Sequence, residues 1–389
     1  MDELRFMIVA GEASGDGHGA KLVRAIRELG GERIMEFFGG AGPQLREAGV
    51  EAIVKTDELS IVGLPEIAKA LPLFLRAFRD LKRAAADRKP DAVILIDFPE
   101  FNLKLAKSLK KAGFTIVYYI SPQLWAWRKY RLAAIKKYVD LIITILPFEK
   151  DWYERRGVSH VEYVGSPLAM EVHPNISRNE FCQKHGFDID ARIISLLPGS
   201  RHKEVVRILP VMLGSAEIVR TGLPNTQFVV AAVPTVIDET KQIVESERKW
   251  SGSFTIVSDE TYDALYASDA AAVTSGTATL EAGIIGVPMA IVYKTSAFNY
   301  RLFEPMISVD HYGLINLIAG ERVGKELIQH EFTAASLADE LLCLMEPATN
   351  ADMRDKLQAV TEKLGHGGAS KRAAQSIFKL LGVTDLSFN

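Results

Sequence analysis

Asp97 closes the apolar run Ala92–Ile96, in the stretch Ile96-Asp97-Phe98-Pro99-Glu100-Phe101-Asn102. A carboxylate at the C-terminal end of a buried strand is held away from water, so its pKa rises and it can serve as a general base. A helix N-cap ahead of Pro99 is the plainer use of the same residue. A second candidate lies in Leu196–Glu204, LLPGSRHKE, where an apolar run breaks at a Gly turn and a helical segment starts at Arg201. Unpaired first-turn amides, the positive end of the helix dipole and a bidentate guanidinium make Gly199, Ser200 and Arg201 an anion site. Ser275-Gly276-Thr277 repeats the strand, small-residue turn and helix start, with Glu281 one helical turn further on. Alone, SGT before a helix is an N-cap. Coupled to LPGSR in the same half it reads as a nucleotide-diphosphate site, with Glu281 placed to accept both ribose hydroxyls. No GxxxxGK[ST] occurs, which argues against a phosphoryl-transferring loop.

Two further stretches carry polar groups at turns. Gly11-Glu12-Ala13-Ser14-Gly15-Asp16 follows the first apolar run directly. Glycines there allow a ligand close to the backbone, and Ser14 and Asp16 can cap the next helix. The spacing is not GxGxxG, and the acids favour a sugar or other hydroxylated ligand over a dinucleotide phosphate. Ser121–Arg128, SPQLWAWR, sets Trp125 and Trp127, two of the four tryptophans, two residues apart. They can stack on a sugar or line an apolar groove, or they can fill the core.

These residues need parallel strands to hold them, and the pattern supplies two sets. Phe6–Ala10, Phe37–Gly40, Ala92–Ile96, Phe114–Ile120, Leu141–Leu146 and Val161–Val164 are strand candidates of a first half, each of the first five followed by a helix-like segment. Ile193–Leu197, Phe228–Ala232, Phe254–Val257, Ala270–Val273 and Met289–Tyr293 repeat the alternation. The prediction is an α/β protein with two Rossmann-like parallel-sheet domains, 1–168 and 176–389, joined by a short linker. Strand C-terminal ends would face a cleft, and a helical C-terminal tail starts near Ala334. That tail could pack back on the first domain or on another subunit. The 389 residues are enough for two cores, and the net charge of −3 gives no basic field for nucleic acid. The two cysteines, far apart, suit a reducing compartment and offer no zinc spacing. No secretory signal and no spanning segment is apparent, so the expectation is a cytoplasmic protein. After Ser60, Leu64, Ile67, Leu71, Phe74, Leu75, Phe78 and Leu81 share a face, with Lys69, Arg76, Arg79, Lys82 and Arg83 around it. The pattern fits a helix packed on its own sheet, or an apolar, basic surface for a membrane or acyl chain. Pro72 would distort it or divide it into two shorter helices.

Eight stretches, in order along nearly the whole chain, carry a family resemblance: AGEASGD (10–16), GGAGPQL (39–45), IDFPEFN (96–102), SPQLWAWR (121–128), LPFEKDWY (146–153), LLPGSR with Glu204 (196–204), SGTATLE (275–281) and NLIAG (316–320). The chain resembles the lipid A disaccharide synthases, inverting glycosyltransferases of the GT-B fold, and SPxxWAWR with AGExSGD makes the resemblance specific. It implies transfer from UDP-2,3-diacylglucosamine to 2,3-diacylglucosamine 1-phosphate, giving a β-1,6 disaccharide and UDP, with no metal and no cofactor. It implies Asp97 as the base on the acceptor 6-hydroxyl. Gly199, Ser200 and Arg201 would hold the diphosphate, Ser275, Gly276 and Thr277 would lie near the phosphates, Glu281 would bind ribose and Asn316 would line the nucleotide side. Glu12, Ser14, Gly15 and Asp16, with Trp127, would form the acceptor and sugar side. Acylated substrates imply peripheral attachment to the inner membrane. The chain departs from the family pattern at Glu100, Ser166 and Ile315. A UDP-N-acetylglucosamine 2-epimerase can share the same two-domain layout, but SPxxWAWR speaks against it. A non-catalytic nucleotide-sugar-binding protein would lack a use for Asp97.

Overall fold

The computed structural model describes residues 3–57, 67–126, 128–246, 254–296, 300–301, 309–365 and 367–384. The chain forms two compact units, Met1–Pro167 with Gly367–Asn389, and Leu168–His366.

The first unit is built on a seven-stranded parallel sheet of β1 (Leu4–Ala10), β2 (Met35–Ala41), β3 (Glu51–Lys55), β4 (Ala92–Ile96), β5 (Ile116–Tyr119), β6 (Leu141–Thr144) and β7 (Val161–Tyr163). Its order is β3-β2-β1-β4-β5-β6-β7. β1 and β4 are neighbours, with Val9 beside Leu95 and Ala10 beside Ile96. The chain runs outward on one side of this pair through β2 and β3 and on the other through β5 to β7. The β1/β4 boundary is therefore the switch point of the sheet, where loops leaving the two strands diverge and leave room for a ligand. β4 is buried along its whole length, as expected of a central strand covered by helices on both faces.

The second unit holds a six-stranded parallel sheet of β8 (Arg192–Leu197), β9 (Thr226–Ala232), β10 (Phe254–Ser258), β11 (Ala270–Thr274), β12 (Met289–Tyr293) and β13 (Glu326–Ile328), in the order β10-β9-β8-β11-β12-β13. Its switch point falls between β8 and β11, where Val273 lies beside Leu197.

Two findings differ from the sequence reading. The tail does not stay with the second half as one block. Helices Ala334–Leu344 and Pro347–Glu362 belong to the second unit, but helix Ala369–Leu380 belongs to the first. Its Ala373, Ala374, Ile377 and Phe378 are buried in the core with Phe6 and Phe37, and Arg372 donates through Nε to the Val164 carbonyl at 2.7 Å. The first unit thus takes 367–389 from the range assigned by sequence to the second domain. Helix Ile67–Arg88 is continuous through Pro72, which sits close enough to its start to delete only one of the first ladder bonds. On that helix Ala77, Leu81, Ala84 and Ala85 are buried, with Phe74 and Phe78 packed beside them. Leu71 and Leu75 remain 56% and 55% exposed. Leu64 lies outside the described residues. Among the described residues no helix is long and apolar enough to cross a membrane.

Candidate active site

At the first switch point β1 delivers Gly11–Asp16 and β4 delivers Asp97. Asp97 and Phe98 both have left-handed backbones, with φ of 46° and 48°. Neither is glycine, and each such residue costs about 1–3 kcal/mol unless its surroundings hold it. Three groups hold Asp97. Its N–H donates to the Tyr119 carbonyl at 3.2 Å. Its carbonyl accepts from the Tyr118 hydroxyl at 2.6 Å and from Asn102 Nδ2 at 2.8 Å. The turn lays the Phe98 ring over Gly11, where a β-carbon would come within 2.2 Å of the ring, so that position admits only glycine. Burial pushes the Asp97 carboxyl up to about 6, and the negative charge of Glu12 adds to the rise. A carboxylate in that range is a competent proton acceptor near neutral pH.

Glu12 and Ser14 are exposed, whereas Gly15 and Asp16 are buried. Asp16, expected among the sugar-facing acids or as a cap of its own helix, does neither. It lies in the first turn of helix Ala13–Gly30, is 2% exposed, and accepts from the amides of Gly42 at 2.7 Å and Gln44 at 2.8 Å. Its carboxylate caps the start of helix Pro43–Glu47 and ties the β2 loop to the β1 loop. Trp125 is core: its indole packs edge-on against Phe148, and its Nε1 donates to Glu149 at 3.1 Å. Trp127 lies outside the described residues. Glu100 forms ion pairs with Arg128 and Arg131.

At the second switch point Gly199 has φ 108°, as the turn after β8 requires, and helix His202–Gly222 starts right after Arg201. The Ser200 amide and the Arg201 guanidinium both donate to Glu204, at 3.3 and 2.7 Å. A carboxylate of the chain thus already engages two of the donors that would bind an anion. From neighbouring β11 come Ser275, Gly276 and Thr277, with Gly276 and Thr277 exposed at the start of helix Thr277–Ile285. The Ser275 hydroxyl donates to the Tyr312 carbonyl at 2.7 Å. Glu281 takes a hydrogen bond from the Tyr262 hydroxyl at 3.2 Å, and burial raises its pKa. Asn316, expected to line the nucleotide side, is fully buried and spent on the chain itself. Its Nδ2 donates to the Gly324 carbonyl and to Glu326, and its Oδ1 accepts from the Gly324 amide, all within 2.7–2.9 Å. With Glu326, which also accepts from the Tyr312 and Gly313 amides, it fastens the loop that meets Ser275. Among the described residues no group of acidic, His or Cys side chains has metal-binding geometry.

The model of the Lipid-A-disaccharide synthetase family matches residues 6–379. The chain belongs to this family. It is 42% identical over 380 residues to the lipid-A-disaccharide synthase of Geobacter metallireducens, covering 97% of each chain. It is 42% identical over 388 residues to that of Syntrophus aciditrophicus, covering 99% of this chain and all of the relative. Among solved structures it resembles a putative UDP-N-acetylglucosamine 2-epimerase from Listeria monocytogenes, with TM-score 0.68, 16% identity and 99% and 98% of the two chains covered. It also resembles the calicheamicin glycosyltransferase CalG4, with TM-score 0.57, 15% identity and coverage of 98% and 99%. Those likenesses carry the fold, a two-domain α/β arrangement of the GT-B kind.

Within this family member, sequence reasoning passed over Glu149, Glu326 and Tyr118. Glu149 is completely buried, and burial pushes it up to about 7 against hydrogen bonds from Trp125, Leu146, Ile145 and Ser121. Its sequence signal was available: Leu146-Pro147-Phe148-Glu149 places an acid at the third helical position, where it caps the helix start.

Proposed function

We infer that this chain is a glycosyltransferase that forms the lipid A disaccharide. Family membership over residues 6–379 carries that conclusion. The epimerase alternative is not favoured, because the likeness to epimerases is at 16% identity and speaks for the fold alone.

The finer reading is our proposal. The donor is UDP-2,3-diacylglucosamine and the acceptor 2,3-diacylglucosamine 1-phosphate. Asp97 takes the proton of the acceptor 6-hydroxyl as that oxygen attacks the donor anomeric carbon. The bond from that carbon to the diphosphate breaks with inversion, and UDP leaves. Arg201 and the amides at Gly199 and Ser200 stabilise the departing diphosphate, which takes over donors now held by Glu204. Gly276 and Thr277 support the phosphates, and Glu281, oriented by Tyr262, accepts from the ribose. Glu12 and Ser14 contact sugar hydroxyls. The raised pKa of Asp97, produced by burial beside Glu12, supports its role. The exposed Leu71 and Leu75, on a helix carrying Arg76, Arg79 and Lys82, support peripheral attachment to the cytoplasmic face of the inner membrane. Incubating the protein with the two acylated sugars should yield one disaccharide and one UDP per turnover. Folded protein that makes no disaccharide rejects the reading, and an epimer formed from UDP-N-acetylglucosamine alone would replace it.

A further inference from the structure

Asn102 and Tyr118 touch no reacting atom, yet both converge on the carbonyl of Asp97. Asn102 is fully buried, and its Nδ2 reaches the carbonyls of Asp97 at 2.8 Å and Ile96 at 3.1 Å. Its Oδ1 has no hydrogen-bond partner among the described residues. A buried amide with an orphaned oxygen destabilises a core, so it needs a use, and here the use is the NH2 group. Tyr118 is fully buried too, on the strand next to β4, and its hydroxyl bonds the same carbonyl at 2.6 Å. Two donors on one carbonyl, from a helix and from a neighbouring strand, sit where two successive non-glycine residues are held left-handed. Relaxing that turn to an ordinary extended conformation would swing the Asp97 side chain and lift Phe98 from Gly11.

We propose that Asn102 and Tyr118 are positioning residues for the general base, clamping the Asp97 carbonyl so that the left-handed turn keeps its carboxyl half-buried and within the field of Glu12. This rests on Asp97 being the base. The titratable groups facing that carboxyl are Glu12 from the β1 loop and Tyr118 from β5, with Arg131 acting on the Tyr118 phenol. Releasing the clamp lets the carboxyl reach water and move away from Glu12, so its pKa falls toward the ordinary Asp value.

The test compares Asn102→Ala, Tyr118→Phe and Asp97→Asn in the full-length protein, by disaccharide formation against pH and by thermal unfolding. The clamp predicts that kcat falls about 100-fold in Asn102→Ala, the usual size for a reacting group displaced by an ångström. In Tyr118→Phe it falls about fivefold, the worth of one hydrogen bond. Donor KM stays within about twofold, and the acidic limb of kcat/KM moves down by about one pH unit as burial is relieved. Added to Asp97→Asn, neither substitution lowers turnover further. A purely structural role would lower the amount of folded enzyme and leave the limb where it was, and that result overturns the proposal. So does wild-type kcat in both variants while Asp97→Asn is inactive. Should Asn102→Ala fail to fold, Tyr118→Phe decides alone, since it keeps the ring and removes only the hydroxyl. Near-normal turnover in Asp97→Asn would instead overturn the base assignment itself, and the clamp with it.

Discussion

The raised pKa of Asp97 comes from its surroundings. The side chain type is common, but burial, with the charge of Glu12 adding to it, pushes the carboxyl up to about 6 against a lowering hydrogen bond from the Phe98 backbone. A base must be ionised to act, so kcat/KM should rise with pH through about 6 and level off above 7, which a pH–rate profile will read directly. Asp97→Asn should cut turnover by about two to four orders of magnitude with donor binding intact. In the loop after β8, Glu204 accepts from the Ser200 amide and Arg201. Arg201→Ala should weaken UDP binding by roughly tenfold or more by calorimetry, since a charge-assisted pair to phosphate is lost. That Asp97 and Arg201 would sit in the turns after β4 and β8 was legible, because an apolar run that breaks at a polar or glycine turn marks the C-terminal end of a buried strand. Asp16 misled because a turn acid that binds sugar and one that binds the chain's own amides have the same spacing, and only the position of Gly42 separates them. Asn316 was expected from the family resemblance alone, and within helix Leu314–Ala319 it is spent on Gly324 and Glu326.

Among elements, central strands were the most readable. Ala92–Ile96 and Met289–Tyr293 match residue for residue, because strands covered on both faces are continuous apolar runs. The outer strands Glu51–Lys55 and Glu326–Ile328 escaped, being short and opened by a glutamate. They extend each sheet by one edge strand and leave the switch points at β1/β4 and β8/β11 where the central strands set them. Helix Ile67–Arg88 is packed on its own sheet, the first of its two sequence readings, without burying its whole apolar face. One stripe is core, while Leu71 and Leu75 face outward. Replacing both leucines by serine should leave the melting temperature within a few degrees, since surface changes shift stability by only about 0.5 kcal/mol. It should also lower recovery of the protein with anionic liposomes in a flotation assay. Unchanged recovery would detach this helix from any membrane role. The element from Pro147 to Glu154 carries Glu149, whose pKa is raised to about 7. A carboxyl raised in the folded state contributes stability below its unfolded pKa and loses it as pH climbs through the folded value. Unfolding midpoints should therefore decline between pH 5 and 8, and less steeply in Glu149→Gln.

For the whole molecule, the division into two units followed from the restart of strand–helix alternation after the linker, but the destination of the last helix did not. Nothing in the pattern of Ala369–Leu380 says which sheet its apolar face will cover; only the tertiary contacts of Ile377 and Phe378 do. Phe378→Ala should cost about 3–5 kcal/mol, read as an earlier unfolding transition in the first unit.

Because the first unit draws its closing helix from the far end of the chain, the order of synthesis and the order of completion are opposed. On the ribosome, residues 4–163 emerge early with an apolar patch around Phe6 and Phe37 uncovered, while the second unit has all of its own sequence by residue 366 and can fold first. The half that carries Asp97 draws on helix Ala369–Leu380, so a nascent chain stalled or truncated at 366 should bind UDP yet stay protease-sensitive in its N-terminal half.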